Sequence, residues 1–298
     1  MKILITGAAG RIGRAVRQAL GSDHPLIGVD LLASPGSDLP LDLADPAHEP
    51  ALRHALQGVG AVVHAAALHA AHVGQHPDAA FQRVNVEATA RLALLAREAG
   101  AARFVFLSTT ALYGDAATPF GRAGWVDEQL PPQPRSVYHR SKLQAEAWLR
   151  QDAARGGLAV TMMRLSRCFA EAAPVMAAYR LHRGIDARDV AAAVALCLHR
   201  PAASLPPWQL LLLSATTPFE PADATALWHD APAVLAQRAP ALLRAFERRR
   251  WPLPQRIDRV YDAALARQRL GWQPRHGFDE VLRQLDEGAA EVLPFATG

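Results

Sequence analysis

A short apolar run, Met1-Lys2-Ile3-Leu4-Ile5-Thr6, passes directly into Gly7-Ala8-Ala9-Gly10-Arg11-Ile12-Gly13, after which apolar positions recur as Ile12, Val16, Ala19 and Leu20. That order constrains the fold more than any other feature, because it reads as strand, tight turn, helix. Gly7 permits the turn, Gly10 removes a Cβ that would obstruct a pyrophosphate, and Gly13 lets the helix lie close to the strand. The helix N-terminus, at Arg11 and Ile12, then offers N–H groups to phosphates. A second apolar run, Leu26-Ile27-Gly28-Val29-Asp30, ends in an acid at the distance where a carboxylate can hold both ribose hydroxyls of a dinucleotide. Asp30 therefore predicts NAD rather than NADP, whose 2′-phosphate it would repel.

Further strands are expected at Ala61–Ala65, Phe104–Ser108 and Val160–Arg164, separated by helices over Ala47–Leu56, Pro77–Glu98 and Ser136–Arg155. Strands this apolar, alternating with helices, indicate a Rossmann-type, doubly wound parallel α/β sheet covered on both faces, with ligands beyond the strand C-termini. The second half is less regular. It predicts a helix over Asp186–Arg200, a strand over Trp208–Leu213, and helices at Ala233–Phe246, Val260–Arg269 and Phe278–Glu287. The expected division is a cofactor domain at 1–165 and a small, mostly helical substrate-binding region at 166–298, with 186–215 returning to the sheet.

With 298 residues, 50% of them hydrophobic, the chain can bury a substantial core. Cys168 and Cys197 have no metal-binding spacing, and a disulfide framework is not expected. His69, His72 and His76 lack an acidic partner to complete a metal set, so no metal is predicted. A net charge of +4 with dispersed arginines gives no nucleic-acid groove; Arg248-Arg249-Arg250 reads as a solvated helix face. With no signal-like start and no membrane-length apolar run, a cytoplasmic protein without membrane partners is expected.

Lysine is scarce: the 32 basic residues include just Lys2 and Lys142, and Lys142 follows Tyr138 by four positions in Tyr138-His139-Arg140-Ser141-Lys142. At i and i+4 on one helix the two project from the same face. A compact ammonium there can do what a broad guanidinium cannot.

The whole pattern resembles the extended short-chain dehydrogenase/reductases, the NAD-dependent epimerase/dehydratase family. Thr6–Gly13 is similar to its TGxxGxxG, Asp42-Leu43 to its adenine-holding pair, His64-Ala65-Ala66-Ala67 to its His-Leu-Ala-Ala, and Asn85-Val86-Glu87-Ala88-Thr89 to its Asn-Val-x-Gly-Thr. Ser108–Gly114 resembles its Ser-Ser-x-x-Val-Tyr-Gly, Tyr138–Lys142 its YxxxK, and Leu270-Gly271-Trp272-Gln273-Pro274 its closing LGWxP. The resemblance implies NAD held by Gly7, Gly10, Arg11, Ile12, Gly13, Asp30, Asp42, Leu43, Ala65, Ala66, Ala67, Asn85, Tyr138, Lys142 and Leu165, and a homodimer through the helices carrying Asn85 and Tyr138. It implies Tyr138 as general acid/base, its pKa drawn down by Lys142 and the oxidised nicotinamide. Thr109, with Ser108 as its competitor, is implied to hydrogen-bond the reacting oxygen.

Departures from the family pattern narrow the reading. Thr110 and Ala111 stand where 4,6-dehydratases carry Asp-Glu, and Arg167 stands where nucleotide-sugar epimerases carry Asn. Only about 25 residues separate Arg164 from Arg188-Asp189-Val190-Ala191, too few for a nucleotide lid. That short segment is similar to uronate dehydrogenases, which implies that Arg180 meets a substrate carboxylate, with Thr110 and Arg167 as further substrate contacts. The expected activity is NAD-dependent hydride transfer at a hydroxyl or carbonyl carbon of a sugar or sugar-acid small molecule. The alternatives are a UDP-sugar 4-epimerase and a non-catalytic NAD-binding regulatory protein.

Overall fold

The computed structural model describes residues 1–201 and 204–295. In chain order the elements are β1 (Lys2–Thr6), α1 (Arg11–Leu20), β2 (Leu26–Asp30), β3 (Leu39–Pro40), α2 (Glu49–Ala55), β4 (Val59–His64), α3 (Asp78–Phe81), α4 (Ala88–Glu98), β5 (Arg103–Thr109), β6 (Gly124–Val126) and α5 (Val137–Ala153). There follow β7 (Ala159–Leu165), α6 (Ala173–Tyr179), α7 (Ala187–His199), β8 (Trp208–Leu213), α8 (Ala224–His229), α9 (Ala231–Arg238), α10 (Pro240–Arg249), β9 (Arg259–Tyr261), α11 (Ala264–Leu270) and α12 (Phe278–Asp286). The chain falls into two compact units, Met1–Leu112 with Pro134–Arg164 and Val190–Leu211, and Tyr113–Gln133 with Leu165–Asp189 and Leu212–Gly298. Tyr113–Gln133 thus belongs with the second unit although it precedes the boundary expected at 165.

The first unit is built on a seven-stranded parallel sheet in the order β3-β2-β1-β4-β5-β7-β8. β1 pairs with β2 from Ile3↔Leu26 to Thr6↔Val29 and with β4 from Ile3↔Ala61 to Thr6↔His64, so three strand ends line up at the turn after Thr6. The strands lack alternation because both faces are covered. Leu4, Val62, Phe104, Phe106, Val160 and Met162 are buried against Leu52, Leu92, Ala96, Ala145 and Leu149 of the helices. At roughly 25 cal/mol per Å2 of apolar surface removed from water, this layer is the unit's main source of cohesion. The expected helix over Pro77–Glu98 is interrupted: Gln82–Glu87 winds as a π-helix between α3 and α4. Such widened turns commonly occur at functional sites.

In the second unit the core is helical. Leu227, Leu235, Leu242, Phe246, Ile257, Val281 and Val292 pack with Ala177 and Met176 of α6. Two sequence expectations are corrected here. The predicted helix Ala233–Phe246 is two helices, because Pro240 has no N–H and drives Ala239 out of helical geometry (φ −137, ψ 52). The predicted helix starting at Val260 begins instead at Ala264, since Arg259–Tyr261 pairs in parallel with Gly124–Val126 as a two-stranded sheet. Val260 and Tyr261, β-branched and aromatic, suit that pairing.

Candidate active site

The glycine turn has the form its residues demand. Gly7 takes φ +66, and a Cβ there would stand 2.7 Å from the Ala66 nitrogen; a Cβ on Gly13 would stand 2.1 Å from the Gly7 oxygen. β1, α1 and the segment after β4 therefore approach one another more closely than any side chain permits. Gly10 is the N-cap of α1 and offers no side-chain cap, so the helix N-terminus is available to an anion. Asp30, half-buried at the end of β2, accepts from the Ala9 nitrogen (2.9 Å) and the Leu32 nitrogen (3.2 Å). A carboxylate has about four acceptor positions, so two remain for a diol. These residues fit a dinucleotide. Beside them Leu31 and Leu32 are both 67% exposed, an apolar rim against which a flat base can lie.

Asp42 and Leu43, expected near the adenine, stand in the turn after β3. The Asp42 carboxylate accepts from the Ala44 nitrogen (2.8 Å), while Leu43 packs half-buried on the sheet's core. Ala65, Ala66 and Ala67 are half-buried past the end of β4, and Ile12 and Arg11 are half-buried in the first turn of α1. Asn85, expected at the cofactor, is buried; its Oδ1 accepts from the Leu68 nitrogen (2.8 Å), and its Nδ2 donates to the Leu68 oxygen (3.0 Å) and Ser141 Oγ (2.9 Å). Its amide is spent on fixing the post-β4 segment to α5.

That bond belongs to a longer chain. Thr89 Oγ1 gives its hydrogen to the Asn85 carbonyl (2.8 Å), so it must accept from His64 Nε2–H (2.8 Å). His64 Nδ1, left without a proton, accepts from Thr6 Oγ1 (2.6 Å), and Ser141 Oγ donates to the Tyr138 carbonyl (2.9 Å). Burial, with the charge of Lys142 second, pushes the His64 pKa down to about 3 and keeps the ring neutral. A hydrogen-bonded path thus runs from the residue before Gly7 to the helix bearing Tyr138. Thr6, His64, Asn85 and Thr89 stand in the motifs quoted above, but nothing in chain order signals that they bond to one another.

Ser136 caps α5 by accepting from the His139 nitrogen (3.2 Å), and the helix carries Tyr138, Lys142 and Glu146 one turn apart on its buried side. The Tyr138 side chain hydrogen-bonds Thr109 at the end of β5. Lys142 Nζ donates to the Leu107 oxygen (2.8 Å) and lies 3.9 Å from the centre of the Phe106 ring. Burial lowers Lys142 to about 7 against the opposing charge of Glu146. Burial also raises Tyr138 to about 12, with the Thr109 bond acting the other way. In the chain by itself desolvation governs Tyr138; the expected lowering joined Lys142 with the charge of an oxidised nicotinamide. Ser108 is directed elsewhere than expected, donating to Glu146 Oε1 at 2.5 Å, while Arg164 of β7 clasps the same carboxylate through Nε (3.1 and 3.2 Å) and Nη2 (2.7 Å). Sequence reasoning missed Glu146 and Arg164; the available signal was an acid recurring at i+4 from Lys142 on a stripe otherwise suited to burial.

The expected substrate residues divide between the units. Thr110 is buried in the first, opening a 3-10 turn over Thr110–Tyr113. In the second, Arg167 is exposed, paired with Glu171 and 5.6 Å from the Phe169 ring, while Leu165, expected at the cofactor and not the substrate, is buried at the end of β7. Arg180 is buried and its Nη2 donates to Asp186 Oδ2 (3.0 Å), so its guanidinium already meets a carboxylate of the chain itself. Hydrogen bonds from Arg188 and the charges of Arg180 and Arg188 overcome burial to hold Asp186 at about 2. His69, His72 and His76 lie ring to ring (4.9 and 5.5 Å), and among the described residues no group of three or more His, Cys, Asp or Glu could hold a metal ion. No helix among those residues is long and apolar enough to cross a membrane.

Comparison with known proteins agrees with this geometry. An L-arabinose 1-dehydrogenase (NAD(P)(+)) of Haloferax volcanii is 35% identical over 176 residues, 55% of this chain and 66% of that protein. Methionine adenosyltransferase 2 subunit beta of Danio rerio is 30% identical over 148 residues, 49% of this chain and 42% of that protein. The chain thus spans less than two thirds of the length of these relatives. Among solved structures, a short-chain dehydrogenase/reductase superfamily protein from Agrobacterium tumefaciens with bound NAD superposes with a TM-score of 0.72 at 23% identity, covering 98% of this chain and 97% of that one. The model of the NAD dependent epimerase/dehydratase family matches residues 3–182, more than half the sequence, and the chain belongs to that family.

Proposed function

We propose that this protein is an NAD-dependent oxidoreductase that transfers hydride at a hydroxyl or carbonyl carbon of a sugar or sugar-acid small molecule. One observation carries the reading: a buried phenol, Tyr138, hydrogen-bonded to Thr109 with the buried ammonium of Lys142 one helical turn away. NAD bound along the glycine turn supplies the hydride acceptor and, when oxidised, a positive charge. Tyr138 carries the proton of the substrate oxygen, Thr109 steadies that oxygen as its charge changes, and Lys142 holds the nicotinamide ribose. With its pKa at about 12, Tyr138 rests as the acid, ready to protonate a carbonyl oxygen during reduction. Oxidation needs the phenolate, which the positive charge of a bound oxidised cofactor would favour until hydride neutralises it. The short Arg164–Arg188 segment and the free pentose named for the Haloferax volcanii relative both support a substrate without a nucleotide.

The test is NADH formation at 340 nm from aldoses, uronic acids and UDP-sugars, with native protein and Tyr138→Phe. Turnover of an aldose or uronate, lowered about a hundredfold or more by Tyr138→Phe with NAD affinity little changed, is expected. Unchanged turnover in the variant overturns the mechanism. Tightly retained NAD with no net NADH from any substrate favours a UDP-sugar epimerase instead.

A further inference from the structure

The carboxylate of Glu146 is 5% exposed, yet it is a charged group in the middle of a packed helix–sheet layer. Arg164 and Ser108 hold it with four hydrogen bonds, among them the 2.5 Å bond from Ser108. Cohesion does not account for it. Two ions taken out of water are costly to bury, and an apolar pair of similar volume often holds such a layer together as well or better. What the ion pair supplies and an apolar pair cannot is a negative charge one turn from Lys142.

Lys142 needs one. Its ammonium has a backbone carbonyl and an aromatic face as partners, neither of which carries a formal charge. The titratable groups that face it are Tyr138 and Glu146 on α5, and His64 and His69 at and after the end of β4; Arg164 on β7 stands behind Glu146. His64 and His69 are both held toward the neutral form by burial, leaving Glu146 as the anion among them.

We propose that Glu146 is a positioning residue for Lys142: clamped by Arg164 and Ser108, its carboxylate keeps the buried ammonium protonated and so sustains the grip on the cofactor ribose without touching it. The inference rests on the role given to Lys142 above. It also gives Ser108 a task, that of orienting Glu146.

The test is the pH dependence of NAD affinity, measured by isothermal titration calorimetry from pH 5.5 to 9 on the native protein, on Glu146→Gln and on the paired variant Glu146→Leu/Arg164→Met. The paired variant removes Arg164 together with Glu146, so the guanidinium is not left buried without its carboxylate, and it folds even where Glu146→Gln does not. Native affinity should weaken above about pH 7, roughly tenfold per unit once the ammonium loses its proton. In both variants the weakening should begin about one unit lower, making the dissociation constant at pH 8 about tenfold higher than native, with the curves converging at the acid end. A purely structural role predicts a uniform offset instead. Curves parallel to native overturn this inference alone; absence of NAD binding by the native protein overturns the proposed function and this inference with it.

Discussion

Acid should unfold this protein before its carboxylates require it. His64 and His182 are both buried, and burial first of all brings each from the ordinary 6.5 down to about 3. Each is also fixed by its bonds: His64 lies between Thr6 and Thr89, and His182 Nδ1 donates to the Arg259 oxygen at 2.9 Å. An imidazole of this kind takes its proton first in the unfolded chain. Its stabilising contribution is whole above about pH 6.5 and is lost as pH falls from there toward 3. From pH 7.5 to 5 the loss is about 2 kcal/mol for each ring and about 4 kcal/mol for both. His69 and His139, lowered chiefly by burial, act in the same direction. Asp186, at about 2, contributes only below the ordinary carboxylate range and leaves this window clear. Urea denaturation at pH 7.5, 6.5, 5.5 and 5 measures the slope. His64→Leu and His182→Leu should each remove about half of the two-ring loss, whatever their stability at pH 7.5. A native unfolding free energy that stays flat over the window refutes the reasoning, and so does a leucine variant that keeps the full slope.

Two further substitutions test the fold where it is tightest and where it is strained. Gly13→Ala puts a methyl 2.1 Å from the Gly7 oxygen and 2.8 Å from the Ala8 Cα, backbone that cannot step aside. It should cost about 3 kcal/mol in urea denaturation, the upper end for overpacking, and weaken NAD binding; a neutral outcome means α1 and β1 are not locked together. Arg250 ends α10 at φ +55, the one non-glycine residue with positive φ among those described, and its side chain is exposed. Arg250→Gly should raise stability by about 1 kcal/mol, read from the urea midpoint, and no gain means the cap carries no strain.

What could be read from the sequence was what local rules govern. The turn from Thr6 to Gly13 and the strands around Val62, Phe106 and Met162 declare themselves through glycine spacing and unbroken apolar runs, both properties of neighbouring residues. The short sheet of Gly124–Val126 and Arg259–Tyr261 does not, because three residues are too few to display a period and the partner strand lies far along the chain. Ser108 and Asn85 illustrate the same limit at the site. Motif position puts each beside the reacting groups, but where a hydroxyl or amide points depends on which acceptor is buried with it, and Glu146 and the Leu68 backbone are met only in three dimensions.

Tyr138 carries this furthest. The i, i+4 spacing places a phenol and an ammonium on one helix face, from which an electrostatic pull on the phenol follows naturally. The environment that brings them together also strips both of water, and burial acts on each toward its neutral form, raising Tyr138 to about 12 and lowering Lys142 to about 7. The folded chain by itself therefore prepares a proton donor rather than a phenolate. If Glu146 keeps the ammonium charged and a cationic dinucleotide adds its field, the phenol's proton is released only when the cofactor is seated and oxidised. On the function proposed above, proton and hydride transfer would then be coupled by desolvation, and the burial that opposes the expected pKa shift would make that shift conditional on the cofactor.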